Sequence, residues 1–408
     1  MREDTSERTY RMGDLFAGAG GISAGFHQAG FQTVFCNEID GIAAETYRHN
    51  FPSATRFVCP IEELTAERLH DESALDGDDL DVLAGGPPCQ GFSINAPVRT
   101  DEDPRNALFR HYVRLVLEGV RPAFIVLENV PGMVSYENGR TIRDVREAFE
   151  QAGYRVFFRI LNAAHYGVPE ERWRLFFVGT RLPDVEFQFP PPVNFSTQRA
   201  NFTGAREYAS IEAIRNTGEQ PRLFGESLLP PLTVREAIGD LPPIVSGGGA
   251  QEMPYELPPL NDYQAAMREQ STMVLNHECA GLSKANLERM THVPPGGSWR
   301  DIPFELLPEG MKRARRSAHT RRYGRLHPDG LSGTIMTKCD PHWGTVVHYD
   351  QDRVISVREA ARLQSFPDSF RFMGSKADQY RQVGNAVPPL LARAIAEQIR
   401  YALEQCHD

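Results

Sequence analysis

The chain has 408 residues, 41% hydrophobic and 24% charged, with a formal net charge of −10 at pH 7, a composition that suits a folded globular protein of two or three structural units and excludes an evenly basic surface. No run approaches 18 apolar residues and the charged start "MREDTSERTY" carries no signal-peptide pattern, so a cytoplasmic chain without a membrane segment is expected. The six cysteines, at 36, 59, 89, 279, 339 and 406, form no C-x-x-C pair, which excludes zinc-cluster spacing and a disulfide framework; no metal is expected.

Along the first 188 residues, short apolar runs alternate with helical patterns. "RMGDLFAG" (11–18), "FQTVFCNEID" (31–40), "LDVLAGG" (80–86), "FIVLENV" (124–130), "RVFFRIL" (155–161) and "RLFFVGT" (174–180) read as strands. Between them, "GISAGFHQAG" puts Ile22, Phe26 and Ala29 on one helical face, and "DPRNALFRHYVRLVLEGV" repeats Leu108, Tyr112 and Leu115 likewise. The expected class is α/β, a doubly wound sheet. The alternation stops at "FPPPVNF" (189–195), and Pro- and Gly-rich stretches interrupt weak periodicity to residue 322, which predicts a smaller inserted domain over 189–322. Near its end, Met311–Pro328 carries seven Lys or Arg and two His with no acid, a local basic stripe inside an acidic chain. Regular patterning resumes over 323–408, where "VGNAVPPLLARAIAEQIRYAL" predicts a final helix that returns to the first sheet.

Several stretches carry chemistry. "DLFAGAGG" (14–21) follows a strand and opens a helix, so its glycines allow a ligand close to the backbone. Glu38 ends the next strand, where an acid can accept hydrogen bonds from both ribose hydroxyls. NAD, FAD and S-adenosylmethionine all suit this pair; the missing third glycine of G-x-G-x-x-G disfavours a dinucleotide. In "GGPPCQGFS" (85–93), Pro87 and Pro88 fix the chain direction after an apolar strand and hold Cys89 in turn chemistry. A free cysteine is most often a small buried hydrophobe, but this setting presents the thiol as a candidate nucleophile. Glu128 ends the apolar strand of "LENV", and "ERWRLFF" (171–177) spaces Arg172 and Arg174 two apart, on one strand face. In open α/β sheets ligands gather at the carboxyl ends of strands, so Gly18, Glu38, Cys89 and Glu128 are expected to converge on one crevice.

In this order, "DLFAGAGG", "NEID", "GGPPCQGFS", "ENV", "YGVPEERWR", "VREAARLQSFPDSF" and "QVGNAVPP" resemble the motifs of the DNA cytosine-5 methyltransferases over residues 10–185 and about 320–395. The resemblance implies a Rossmann-like methyltransferase sheet with 189–322 as target-recognition domain. It also implies S-adenosylmethionine held by Phe16, Gly18, Gly21, Glu38, Ile39, Ile61, Pro88, Leu108 and Asn385, and duplex DNA as substrate. Cys89, Glu128 and Arg172 are then the catalytic candidates: a thiolate adds to carbon 6 of a flipped-out cytosine, while Glu128 with Arg172 nearby binds the amino group and ring nitrogen 3. Gln90, Ser93, Arg174, Lys312, Arg313, Arg315, Arg316, Arg321 and Arg322 are the candidate DNA contacts. A monomer is expected, with a cognate restriction endonuclease, if one exists, acting separately.

Two positions depart from the family pattern. Glu170 stands where Gln is common, and Pro60, in "VCPIEEL", where an acid should meet the adenine amine. Other readings are the tRNA-methylating branch of the family, which Gly91 and Ser93 disfavour, a catalytically idle DNA-binding regulator, and a nucleotide-dependent oxidoreductase.

Overall fold

The structure is a computed structural model, and it describes residues 8–73, 75, 80–88, 108–135, 139–196, 222–223, 226–315, 317 and 321–406. The strands β1 (Tyr10–Leu15), β2 (Phe31–Asn37), β3 (Thr55–Phe57), β4 (Val82–Gly85), β5 (Phe124–Asn129), β6 (Arg155–Asn162), the two-residue β7 (Glu170–Glu171) and β8 (Trp173–Thr180) lie in the first part of the chain. Seven form one sheet in the order β3-β2-β1-β4-β5-β8-β6. The first five run parallel, and β8 is antiparallel to both β5 and β6.

Neighbouring residues serve opposite faces, as the strand period requires. Leu83, Ile125 and Phe177 pack on one side with Tyr112 and Phe149; Val82, Val126 and Phe176 pack on the other with Phe26, Leu391 and Ile395. Each fully buried Leu or Phe here contributes roughly 1.5–3 kcal/mol. Helices α1 (Gly21–Gln28), α2 (Gly41–Asn50), α3 (Ala66–Glu72), α4 (Leu108–Glu118), α5 (Gly132–Ser135) and α6 (Arg140–Gln151) connect the strands. The sheet is therefore covered on both faces, and the six predicted strands are all present. The short β3 and β7 escaped the sequence pattern because three and two residues are too few to show a period.

The final helix, Pro389–Glu404, returns to the sheet beside α1. Two glycines one turn apart make the approach possible: a methyl at Gly21 would collide with the Val387 carbonyl, and one at Gly25 with the Pro389 carbonyl. That contact sets Asn385–Val387 against the loop after β1.

Residues on both sides of position 322 share a core. Ala237, Ile238 and Val274 pack with Ile355, Ala361 and Phe370 and with Tyr47 and Phe51 of the sheet region, while Val293, Trp299, Ile302, Met311 and Tyr323 form a separate small cluster. The helix Val357–Leu363 clamps these parts through buried arginines. Arg358 donates to the Leu275, Pro367 and Phe370 carbonyls at 2.7, 2.9 and 2.6 Å, and Arg362 bonds the Ala237 carbonyl at 2.9 Å and Asp368 at 2.5 Å. Arg353 grips Glu359 with two bonds of 2.7 and 2.6 Å. Among the described residues, no helix is long and apolar enough to cross a membrane.

Candidate active site

A cavity of about 630 Å³ opens at the carboxyl ends of β1, β2, β4 and β5, where the strand order reverses between β1 and β4 and ligand crevices form. All nine residues assigned to the cofactor line it: Phe16, Gly18, Gly21, Glu38, Ile39, Ile61, Pro88, Leu108 and Asn385. Glu128, Arg172 and Arg174 line it too. Cys89, Gln90, Ser93 and Arg316 lie outside the described residues; Pro87 and Pro88, just before Cys89 in the sequence, line the cavity.

The loop after β1 is held in an unusual backbone. Phe16 and Gly18 both have φ of 55°, and no atom lies within 4 Å of where a Gly18 side chain would begin. A non-glycine residue in this region is uncommon, and such strain concentrates where a ligand must meet the backbone. The Gly18 N–H donates to Glu38 Oε2 at 2.7 Å, and the Asp40 N–H to Glu38 Oε1 at 2.8 Å. Each carboxylate oxygen keeps acceptor capacity for a ligand hydroxyl. Burial raises the Glu38 pKa, and the two backbone donors oppose that rise. Pro60 lines the cavity with Cys59 and the exposed Glu62, so position 60 itself supplies no acidic side chain.

The other end is acidic and basic at once. Glu128 Oε1 is 2.8 Å from Arg174 Nε, both side chains about 15% exposed or less. Burial raises the Glu128 pKa, while Arg174 first and Arg172 second pull it back. A methyl at position 86 would sit 3.2 Å from Glu128 Oε2, so Gly86 passes close to this carboxyl as the chain leaves β4.

The sequence reading put Arg172 near Glu128; Arg172 lines the same cavity and pulls the Glu128 pKa down, while Arg174 is the arginine in direct contact. Arg172 falls in the break between β7 and β8 and is fully buried. Its Nη2 donates to the Gly384 and Ala386 carbonyls at 2.8 Å each, and Nη1 to the Ile335 carbonyl at 3.3 Å. Through Nη1 and Nη2 Arg172 ties β7 to the chain around Asn385, and Arg174 is the guanidinium in direct contact with Glu128. Sequence spacing gave both the same face and could not rank them. Glu170 takes part in the tie: its Oε1 accepts from the Ile335 N–H at 2.6 Å and lies 3.5 Å from Arg172 Nη1. Burial pushes the Glu170 pKa up and the Arg172 pKa down to about 10, which still leaves the arginine charged at neutral pH.

Among the candidate DNA contacts of the basic run, Arg313, Arg315 and Arg321 are exposed. Lys312 pairs with Glu309 at 2.6 Å, and Arg322 lies 5.5 Å from the centre of the Trp343 ring. The sequence reading missed Asp40 and Arg381, which line the cavity and form a 2.9 Å ion pair; a half-buried helix N-cap and an arginine far along the chain give no sequence signal of their pairing.

The sheet order, the crevice at its switch point and the Glu128–Arg174 pair define a methyltransferase of the Rossmann-like α/β type. The C-5 cytosine-specific DNA methylase family model matches residues 10–401, and the chain belongs to that family. It is 34% identical to the type II methyltransferase M.AgeI of Thalassovita gelatinovora over 96% of this chain and 99% of that one. It is 37% identical to M1.HphI of Haemophilus parahaemolyticus over 95% and 85%. Among solved structures, a prophage-encoded DNA modification methyltransferase (E. coli) superposes with a TM-score of 0.70 at 25% identity, covering 97% of this chain and all of that one. Spodoptera frugiperda DNMT2, at 16% identity and a TM-score of 0.56 over 97% of this chain and all of that one, shares the fold. The protein is an enzyme of DNA cytosine C5 methylation, and family and fold imply S-adenosylmethionine as cofactor.

Proposed function

We propose that the chain methylates carbon 5 of one cytosine in a specific duplex sequence through a transient covalent bond from Cys89, with S-adenosylmethionine lying between the loop after β1 and Asn385. The observation that carries this reading is one continuous cavity running from Gly18 and Glu38 to Glu128 and Arg174, with Pro87 and Pro88 in its wall. S-adenosylmethionine supplies the electrophilic methyl. Glu38 takes the ribose hydroxyls, and the open Gly18 backbone leaves room for the cofactor. The cytosine must leave the duplex stack to reach Glu128, at a cost of a few kcal/mol.

In the base pocket, the Cys89 sulfur adds to carbon 6, and the electrons move to carbon 5, which becomes an enamine carbon able to take the methyl. Glu128, whose pKa burial raises against the pull of the arginines, takes up a proton at least transiently and donates to ring nitrogen 3 as negative charge builds there, and Arg174 fixes the carboxyl's orientation. Loss of the carbon 5 proton to a base then expels the cysteine. The segment 189–322, with the exposed arginines at its end, serves target recognition. Both bacterial relatives named above are type II methyltransferases, which supports a separate restriction endonuclease of the same specificity. A duplex containing 5-fluorocytosine, whose carbon 5 has no proton to lose, tests the mechanism. Wild type should give a denaturation-resistant adduct and Cys89→Ser none; normal turnover by the serine variant would refute the covalent route.

A further inference from the structure

The loop after β1 is pinned from below by a buried polar chain that the proposed chemistry does not use. Asp14, two residues before Phe16, lies between Cys36 of β2 and Ala84 of β4 and is fully buried. The cavity is lined from Phe16 onward, so Asp14 stands behind its wall. Asp14 Oδ2 is 2.6 Å from Ser23 Oγ on α1, and Ser23 Oγ is 2.6 Å from Tyr47 Oη on α2. Tyr47 also hydrogen-bonds Thr33. The Thr33 N–H donates to His27 Nε2 at 3.2 Å, and the Thr33 hydroxyl oxygen is 3.2 Å from the same nitrogen. Ser23, Tyr47 and Thr33 are buried and His27 is exposed, so the chain runs from beneath the loop to the surface. Among the described residues no Lys or Arg pairs with Asp14, and its Oδ1 has no hydrogen-bond partner.

We propose that Asp14 is a positioning residue for the cofactor loop, kept as the neutral acid by this hydroxyl chain, and that the loop takes S-adenosylmethionine most tightly in that state. The inference rests on the cofactor reading above and adds to it a residue outside the cavity. An ionised carboxylate sealed from water, with one donor and one bare oxygen, is costly to hold, whereas the neutral acid needs one acceptor for its proton. With Asp14 neutral, every proton in the chain has an acceptor: Asp14 donates to Ser23, Ser23 to Tyr47, Tyr47 to Thr33 and Thr33 toward His27 Nε2, which the Thr33 N–H already marks as an acceptor. Burial raises the Asp14 pKa to about 7, the Ser23 bond opposing that rise and the Glu38 charge adding to it, while burial lowers the pKa of His27. Ionising Asp14 sets a second negative charge behind the loop, against the Glu38 carboxylate that holds the Gly18 N–H. A ligand that expels water from the cavity strengthens this repulsion, so it binds less well to the ionised form. The other titratable groups facing Asp14 are Cys36 on β2, Tyr47 on α2 and Tyr112 on α4, and burial pushes all three upward, away from neutral pH.

The test is calorimetric affinity of the full chain for S-adenosylmethionine from about pH 6 to about pH 8.5, in wild type and in Asp14→Asn, which keeps a donor for Ser23 and cannot ionise. Wild-type affinity should fall about tenfold relative to Asp14→Asn across that range, and the two should agree at the acid end. The cofactor's own amine and Glu38 titrate in both proteins, so the ratio of the two affinities isolates Asp14. Ser23→Ala removes the bond that opposes the pKa rise, so its fall should begin at higher pH than in wild type. A second readout needs no cofactor: the infrared difference between wild type and Asp14→Asn at about pH 6 should contain the carbonyl band of a buried protonated carboxyl, and that band should fade by about pH 8.5. If Asp14→Asn does not fold, Ser23→Ala against wild type decides, and coincident pH profiles for that pair overturn the assignment. A ratio of wild type to Asp14→Asn that stays within about twofold at every pH, as a merely structural aspartate would give, or that moves in wild type's favour as pH rises, overturns it as well. Wild type that binds no S-adenosylmethionine at any pH overturns the cofactor reading and the assignment with it.

Discussion

Glu128 and Arg174 form a 2.8 Å ion pair across two antiparallel strands, Glu128 opposite Phe176 in the β5–β8 ladder. The strand reversal at β8 is what creates it, because it brings the start of β8 to the carboxyl end of β5. Arg174→Ala should therefore leave Glu128 without its orienting partner. The lost charged hydrogen bond is worth about 1.5–3 kcal/mol, a slowing of roughly 10- to 150-fold in single-turnover methylation. Arg172→Ala should act differently, lowering stability by about 3 kcal/mol or more by freeing buried carbonyls and Glu170. Equal effects of the two substitutions on the methylation rate, with equal melting temperatures, would contradict this division.

The same pair fixes a pH dependence. Burial raises the Glu128 pKa, and Arg174 lowers it. The proposed donor role needs the protonated acid, so the methylation rate should fall as pH rises through that pKa. Removing Arg174 removes the stronger of the two positive charges that favour the charged form, so the alkaline limb should move to higher pH in Arg174→Ala. A limb that moves to lower pH, in rates measured on one duplex at saturating cofactor, would show that Glu128 acts ionised.

Much of this site was legible in the sequence, and the reason is physical. The loop after β1, Glu38, Pro87 and Pro88, and Glu128 each sit at a strand end marked by a change from apolar run to turn residues, so pattern alone brought these stretches to one crevice. Arg172 and Arg174 were found, but which of them touches Glu128 was not legible, because the interruption between β7 and β8 depends on a ladder with Ser332–Gly333, more than 150 positions away. The basic run drew attention by composition, whereas position relative to the pocket is a property of long-range pairing.

Cofactor affinity should depend on Glu38 and on the glycines that close the cavity. Glu38→Ala should weaken S-adenosylmethionine binding by roughly 1–3 kcal/mol, the cost of unpaired hydrogen-bonding groups. Gly21→Ala forces a methyl into the Val387 carbonyl and should cost about 1–3 kcal/mol of stability while pushing Asn385 off the cavity. Calorimetry and thermal melting check both; tight NAD binding with no S-adenosylmethionine binding would refute the cofactor reading.

The buried arginine clamp predicts acid sensitivity. Glu359 is fully buried between Arg353 and His348, and Asp368 accepts two bonds from Arg362. Although burial alone would raise their pKa values, the arginines hold both carboxyls below the usual range. A carboxylate whose pKa is depressed on folding stabilises the protein fully above its unfolded value, near pH 4, and that stability is lost as pH falls further through the folded value. Unfolding free energy from urea titrations should therefore drop steeply below about pH 4 in wild type. Glu359→Gln should cost about 3–5 kcal/mol at neutral pH, because Arg353 is left buried without its counter-charge, and its stability should fall less steeply with acid. Glu397→Gln breaks only an exposed pair with Arg393 and should track wild type at every pH. If Glu359→Gln and wild type lose stability in parallel between pH 6 and pH 3, the acid response arises elsewhere and the clamp holds the two parts of the chain together by packing alone.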